Sequence, residues 1–245
     1  MPTTTHINNA PIVELVVGFH FNGIIFSHQE IYSFYNSIKD YYPIIQEHPP
    51  IFIEKQFEFA KDRQLPLYNA RKFFLNSTEN KLIQIQLDKV FFNWRKSNDG
   101  DQYPHFNQVL KEFIEIIKKL KPLEELAENI AQLEVTYLDH IWIDQFGNGD
   151  FNSKDIFNLF NIKRAVSSMR STFVLPVSEI EGNISFDLKS GFDGVLKRKL
   201  FVLETNCRGT LADKTIEDWF DCAHKNIHNL FFDITTDNAK SVWGI

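Results

Sequence analysis

From Ile12 to Phe21 apolar and mixed positions alternate. Val13, Leu15, Val17, Phe19 and Phe21 fall on one side, and Ile12, Glu14, Val16, Gly18 and His20 on the other. A period of two predicts a strand with one fully apolar face. Ser27-His-Gln-Glu30 reads as a capping box, in which serine and glutamate satisfy each other's backbone N–H groups. Ile31, Phe34, Tyr35 and Ile38 follow at helical spacing, and Pro43 closes that helix. Residues 43–70 carry Pro43, Pro49, Pro50 and Pro66 and read as mostly irregular, with room for a short helix near 53–61.

Residues 71–78 and 81–95 read as a hairpin around Glu79-Asn80. Ile83, Ile85 and Leu87 face one way, and Leu82, Gln84, Gln86 and Asp88 the other. Asn98-Asp-Gly-Asp101 is a turn. A helix from about Pro104 to Leu120 shows Phe106, Leu110, Phe113, Ile117 and Leu120 as its core stripe, and Pro122 stops it. Residues 131–143 predict a strand with Leu133, Val135 and Tyr137 on one face. The loop 144–150 follows, then a short helix capped by Ser153 and carrying Ile156, Phe157 and Phe160. Strands are predicted at 165–177, 183–190 and 198–206. A final helix at about 214–232 turns Ile216, Trp219, Phe220, Ala223, Ile227 and Phe231 inward.

Hairpin-linked strands with segregated helices indicate an α+β fold, a curved and mostly antiparallel sheet packed against two long helices. Element order, without any residue-level repeat, suggests two related β-α-β-β-α halves, 1–125 and 126–245. No Pro/Ser/Gly-rich linker interrupts the chain, so residues 1–245 read as one domain.

The chain has 245 residues, enough for a full core, and its 24 Phe imply an aromatic-rich one. A net charge of -6, with Lys197-Arg-Lys199 as the densest basic cluster, argues against a dedicated nucleic-acid binder. Cys207 and Cys222 form neither a disulfide framework nor a Cys-x-x-Cys pair. The N-terminal residues lack a signal-peptide pattern, and no apolar run approaches the ~20 residues that span a bilayer. A cytoplasmic protein with no membrane partner is expected.

Candidate chemistry is sparse. Asp221, His224 and His228 share a helical face and resemble a metal stripe, but Lys225 stands where a zinc protease has Glu, and exposed helices collect such residues easily. Glu14 and His20 share a strand face but lie ~20 Å apart along it, too far to act jointly. The bland reading gives each a separate neighbour, with Arg95 and Arg170 as candidate cations for Glu14. Trp94 and Arg95, with Tyr103-Pro104, form either a stacked guanidinium–aromatic platform or a packed strand end. Tyr137, Asp139 and His140 sit mid-strand, where a charged residue ordinarily faces solvent. Phosphate-binding loops, the dinucleotide fingerprint and the serine nucleophile elbow are all missing from the sequence. No catalytic residue and no cofactor is implied, and metal binding has only the stripe in its favour.

Four motifs taken in order carry a resemblance: Asn9-x-Pro11-Ile-Val-Glu14, Asn93-Trp94-Arg95 with Tyr103-Pro104, Tyr137-x-Asp139-x-Ile141, and Ala223-His224-x-x-Ile227-x-x-x-Phe231 before Trp243. The chain resembles a sporadically distributed family of prokaryotic proteins of about this length with no assigned activity. Asp139 departs from the motif, which carries Asn there. The resemblance transfers no catalytic residues. The family's patchy distribution is like that of antiviral-defence and toxin–antitoxin loci. It implies a non-catalytic component that binds a protein partner encoded by an adjacent gene, with Glu14, Trp94, Arg95, Tyr137, Asp139 and His224 as candidate binding residues. The alternatives are a small-ligand or nucleotide sensor with a cavity between sheet and helices, and a metal-dependent hydrolase or nuclease.

Overall fold

The computed structural model describes residues 10–50, 70–147, 153–159 and 168–244. Its elements in chain order are β1 (Ile12–Phe21), α1 (His28–Ile38), β2 (Ile44–His48), β3 (Arg71–Leu75), β4 (Lys81–Gln86), β5 (Lys89–Arg95), α2 (Phe106–Ile117), α3 (Leu123–Ala127), β6 (Ile130–Trp142), β7 (Arg170–Val177), β8 (Gly182–Asp193), β9 (Arg198–Gly209), α4 (Ile216–Ile234) and α5 (Asp237–Trp243). The strands hydrogen-bond in the order β2-β3-β4-β5-β1-β6-β9-β8-β7, as an antiparallel sheet that does not close. The fold is α+β, as the patterning predicts. The chain divides into two compact units built from discontinuous segments, Val16–Glu134 with Gly209–Ile216, and Met1–Leu15 with Val135–Arg208 and Glu217–Ile245.

In the unit holding Val16–Glu134, α1 starts on the predicted capping box. Ser27 Oγ accepts from the Glu30 N–H at 3.2 Å, and Glu30 Oε2 accepts from the Ser27 N–H at 2.7 Å. Lys121 Nζ also reaches Glu30, at 2.9 Å. The α1 stripe Ile31, Phe34 and Ile38 is buried, with Tyr35 stacked on Phe74 of β3 at 5.1 Å. On α2, Val109, Phe113 and Ile117 are buried, and Phe113 meets Phe19 of β1 at 5.0 Å. Residues 17–21 of β1 are buried on both faces. On the second face, a Cβ at Gly18 would collide with the Phe91 ring and lie 2.7 Å from the Val90 carbonyl oxygen, so only glycine lets β5 approach this closely.

Several boundaries differ from the sequence reading. Ile44–His48 is a strand pairing with β3, not irregular chain, while the helix expected near 53–61 lies outside the described residues. The single strand expected over 81–95 is two, β4 and β5, because Gln86 pairs with Lys89 across a Leu87-Asp88 turn. That turn lacks the Asn-Gly signature. Its carbonyls are satisfied instead by the N–H groups of Phe21, Ile25 and Phe26, at 2.9, 2.9 and 3.1 Å. Helix α2 begins at Phe106 rather than Pro104, after His105 at a φ of 67°. Pro122 does not simply end a helix; it opens α3, where its missing N–H costs nothing.

In the other unit, Ile141, Phe157, Phe186, Phe201, Leu203 and Trp243 form the centre of a hydrophobic cluster. Phe157 packs edge-on to Phe201 at 5.6 Å, and Phe173 stacks on Phe186 at 4.4 Å. Residues Ser153–Asp155 make a single 3-10 turn, shorter than the helix expected there, and Phe160 lies outside the described residues. On α4, Trp219, Phe220, Ala223 and Ile227 are buried as expected, but Phe231 is only half-buried. Trp243 of α5 meets the Phe231 ring at 5.3 Å, and Ile234 takes the buried position at the helix end.

Candidate functional site

Strand β6 alternates from Val135 onward. Val135, Tyr137, Asp139 and Ile141 are buried, and Thr136, Leu138, His140 and Trp142 are half-buried. Asp139 therefore points inward, against the expectation of a solvent-facing carboxylate. Its parity with Leu133, Val135 and Tyr137 decides its side, whatever its charge. Only 3% of it is exposed, and burial pushes its carboxyl up to about 7.

Helix α4 brings His224 to Tyr137. The Tyr137 hydroxyl and His224 Nδ1 are 2.9 Å apart, with the rings nearly parallel at 28°. Burial, and then the neighbouring His228, holds the His224 imidazole down at about 4. The His228 ring lies 6.0 Å from that of His224 and 4.5 Å from that of Phe232. His228 Nε2 is buried without a hydrogen-bond partner among the described residues. The His224 and His228 imidazoles, both held down by burial, are thus neutral at neutral pH. They offer polar recognition rather than charge.

Asp221, the third member of the predicted stripe, is exposed. Its carboxyl is raised by partial burial and then by the nearby charges of Asp218 and Glu217. No group of three or more His, Cys, Asp or Glu side chains is placed to hold a metal ion among the described residues. Cys207 is buried, and burial, followed by nearby Cys222, pushes its thiol up to about 12, so it is not a ready nucleophile.

The remaining candidates stand apart from this group. Trp94 is buried and meets Tyr103 edge-on at 5.4 Å, as a packed strand end. Arg95 turns away to Glu79, donating from Nε to its carbonyl oxygen at 2.7 Å. The stacked platform is therefore not assembled. Glu14 is half-buried; of the cations expected for it, Arg95 is held by Glu79, and Arg170 forms a forked pair with Asp187 at 3.1 Å. His20 pairs with Glu134 at 3.0 Å, both buried.

Sequence reasoning missed three features. Lys89 is fully buried and donates to Asp88 at 2.7 Å, a pair created by the β4–β5 turn. A cleft of about 540 Å³ is lined by Tyr41, Tyr42, Lys81, Glu112, Ile116 and neighbours. Within it, Glu112 accepts from Tyr42 Oη at 2.9 Å and from Lys81 Nζ at 2.7 Å. Burial, then the Glu112 carboxylate, raises the Tyr42 phenol. Finally, five of the nine large apolar residues exposed among the described residues lie in β7 and around the β8–β9 turn: Val174, Leu175, Phe192, Val195 and Leu196. The period of two does not reach Phe192, Val195 and Leu196, which fall at or beyond strand ends.

Comparison with protein-family models and with curated proteins finds no match to this chain. Among the described residues, no helix is long and apolar enough to cross a membrane.

Proposed function

We propose that this protein is a non-catalytic, partner-binding component of a prokaryotic defence-like or toxin–antitoxin-like system, and a member of the sporadically distributed family whose motifs it resembles. The observation that carries the binding reading is the group of exposed apolar side chains at the β8–β9 turn, Phe192, Val195 and Leu196. Clustered exposure of this kind marks interaction surfaces more often than scattered single residues do. Strand β7 is also last in the sheet order, an edge suited to strand addition. The defence association rests on the resemblance alone. The strand order supports a duplication, since β1, β5, β4 and β3 map onto β6, β9, β8 and β7. Co-expression with the product of the adjacent gene, followed by sizing with light scattering, tests the function. A stable complex is expected; a lone monomer under those conditions refutes it.

The cleft around Tyr42, Lys81 and Glu112 favours a second reading, a small-ligand sensor, because its volume suits a drug-sized or nucleotide-sized molecule. Thermal-shift screening against nucleotides tests it, with Lys81→Ala removing any stabilisation. A flat response across the panel refutes it.

A further inference from the structure

Three of the exposed apolar residues among those described meet the chain's densest basic cluster at one turn. Phe192, Val195 and Leu196 are 61%, 89% and 55% exposed, and Lys197, Arg198 and Lys199 follow directly. Exposed Lys189 adds a further positive charge on β8, on a chain whose net charge is -6.

The turn is held in shape by its own residues. Asp193 Oδ1 accepts from the N–H groups of Val195 and Leu196 at 2.8 and 2.7 Å. At the base, Arg198 forks onto Asp144 at 2.7 and 2.6 Å, and its guanidinium lies 4.3 Å from the centre of the Trp142 ring. The backbone therefore needs little ordering on contact, which removes one of the main costs of association.

The geometry points to the β8–β9 turn, residues 192–199, as a preformed docking element that inserts Phe192, Val195 and Leu196 into an apolar pocket rimmed by acidic side chains on the protein partner. This rests on the partner-binding reading above. The lysines would steer the encounter with the acidic rim, and the apolar side chains would hold the complex. An anionic lipid surface also attracts apolar and basic residues together. Here the turn lacks the Trp and Tyr anchors that sit at membrane interfaces, and its pinned backbone suits a shaped pocket better than a fluid one.

The experiment measures binding of the full chain to the adjacent gene's product by calorimetry at low and high salt, with Leu196→Asp, Val195→Asp and a double Lys197→Glu, Lys199→Glu variant. All four positions are exposed, and circular dichroism checks that each variant is folded. The apolar variants are expected to bind about tenfold weaker or worse. The double variant is expected to bind more weakly and lose most of the salt dependence. If wild type binds and Leu196→Asp and Val195→Asp bind as wild type, the turn is not the docking element, although the partner-binding reading stands. If wild type forms no complex, that reading fails and the docking assignment falls with it. If wild type instead sediments with phosphatidylserine–phosphatidylcholine vesicles and the turn variants do not, the occupant is lipid and the protein-pocket assignment is overturned.

Discussion

Replacing Asp139 with asparagine keeps the size and polarity of the side chain and removes its ability to ionise. Asp139 is buried on β6, where desolvation raises its carboxyl from the ordinary 3.8 to about 7. At ~1.4 kcal/mol per decade of proton affinity, that corresponds to about 4 kcal/mol of destabilisation in the ionised state. The sign follows from proton binding. Between pH 3.8 and about 7 the folded chain holds a proton that the unfolded chain releases, so stability falls as pH rises. The penalty is absent below the unfolded value and fully present above the folded one. Asn carries no such penalty at any pH. Asp139→Asn is therefore expected to be more stable than wild type by up to about 4 kcal/mol at pH 8, and nearly equal to it near pH 4. Urea titrations across that range measure both chains. His224, held down at about 4, acts oppositely: its folded form resists protonation, so stability is lost as pH falls from 6.5 through 4. That term is common to both chains and cancels in their difference. Parallel pH–stability curves for the two chains would refute the reasoning and mean that Asp139 is ionised at little cost in the folded protein.

Other perturbations test the packing. Gly18→Ala places a methyl group against the Phe91 ring and the Val90 carbonyl and is expected to cost about 1–3 kcal/mol in urea unfolding; shortening Phe91 to Leu should restore part of the loss, and an unaffected single variant would contradict the close approach. Glu134→Ala leaves buried His20 without its 3.0 Å partner and is expected to lose about 1–3 kcal/mol, with Glu134→Gln losing less; equal losses would show that the hydrogen bond is not what Glu134 supplies. Ser27→Ala removes the α1 cap and is expected to cost about 1 kcal/mol, read as a shift in the denaturation midpoint; an unchanged midpoint would show the box to be dispensable.

What the sequence determined by itself was local. The apolar alternation of residues 12–21, the Ser27–Glu30 box and the stripe on α2 are short-range patterns, and the α+β class follows from how they succeed one another. The parity of β6 also carried the answer for Asp139. The residue's charge suggested solvent, but a strand side is shared by every second residue and the hydrophobic ones settle it. The tertiary structure decided the pairings that no local spacing encodes. The β4–β5 turn forms at Leu87-Asp88 because β1 and the chain after it satisfy its carbonyls, a condition set from more than sixty residues away. Tyr137 meets His224 across 87 positions, and His20 meets Glu134 across 114. Phe231 is half-buried, and the ring that covers it is Trp243 of α5, a neighbour of which helical periodicity within α4 contains no trace. Periodicity reports which side of an element is apolar; which partner covers that side, and which apolar residues are left uncovered, depends on contacts that exist only once the chain has folded.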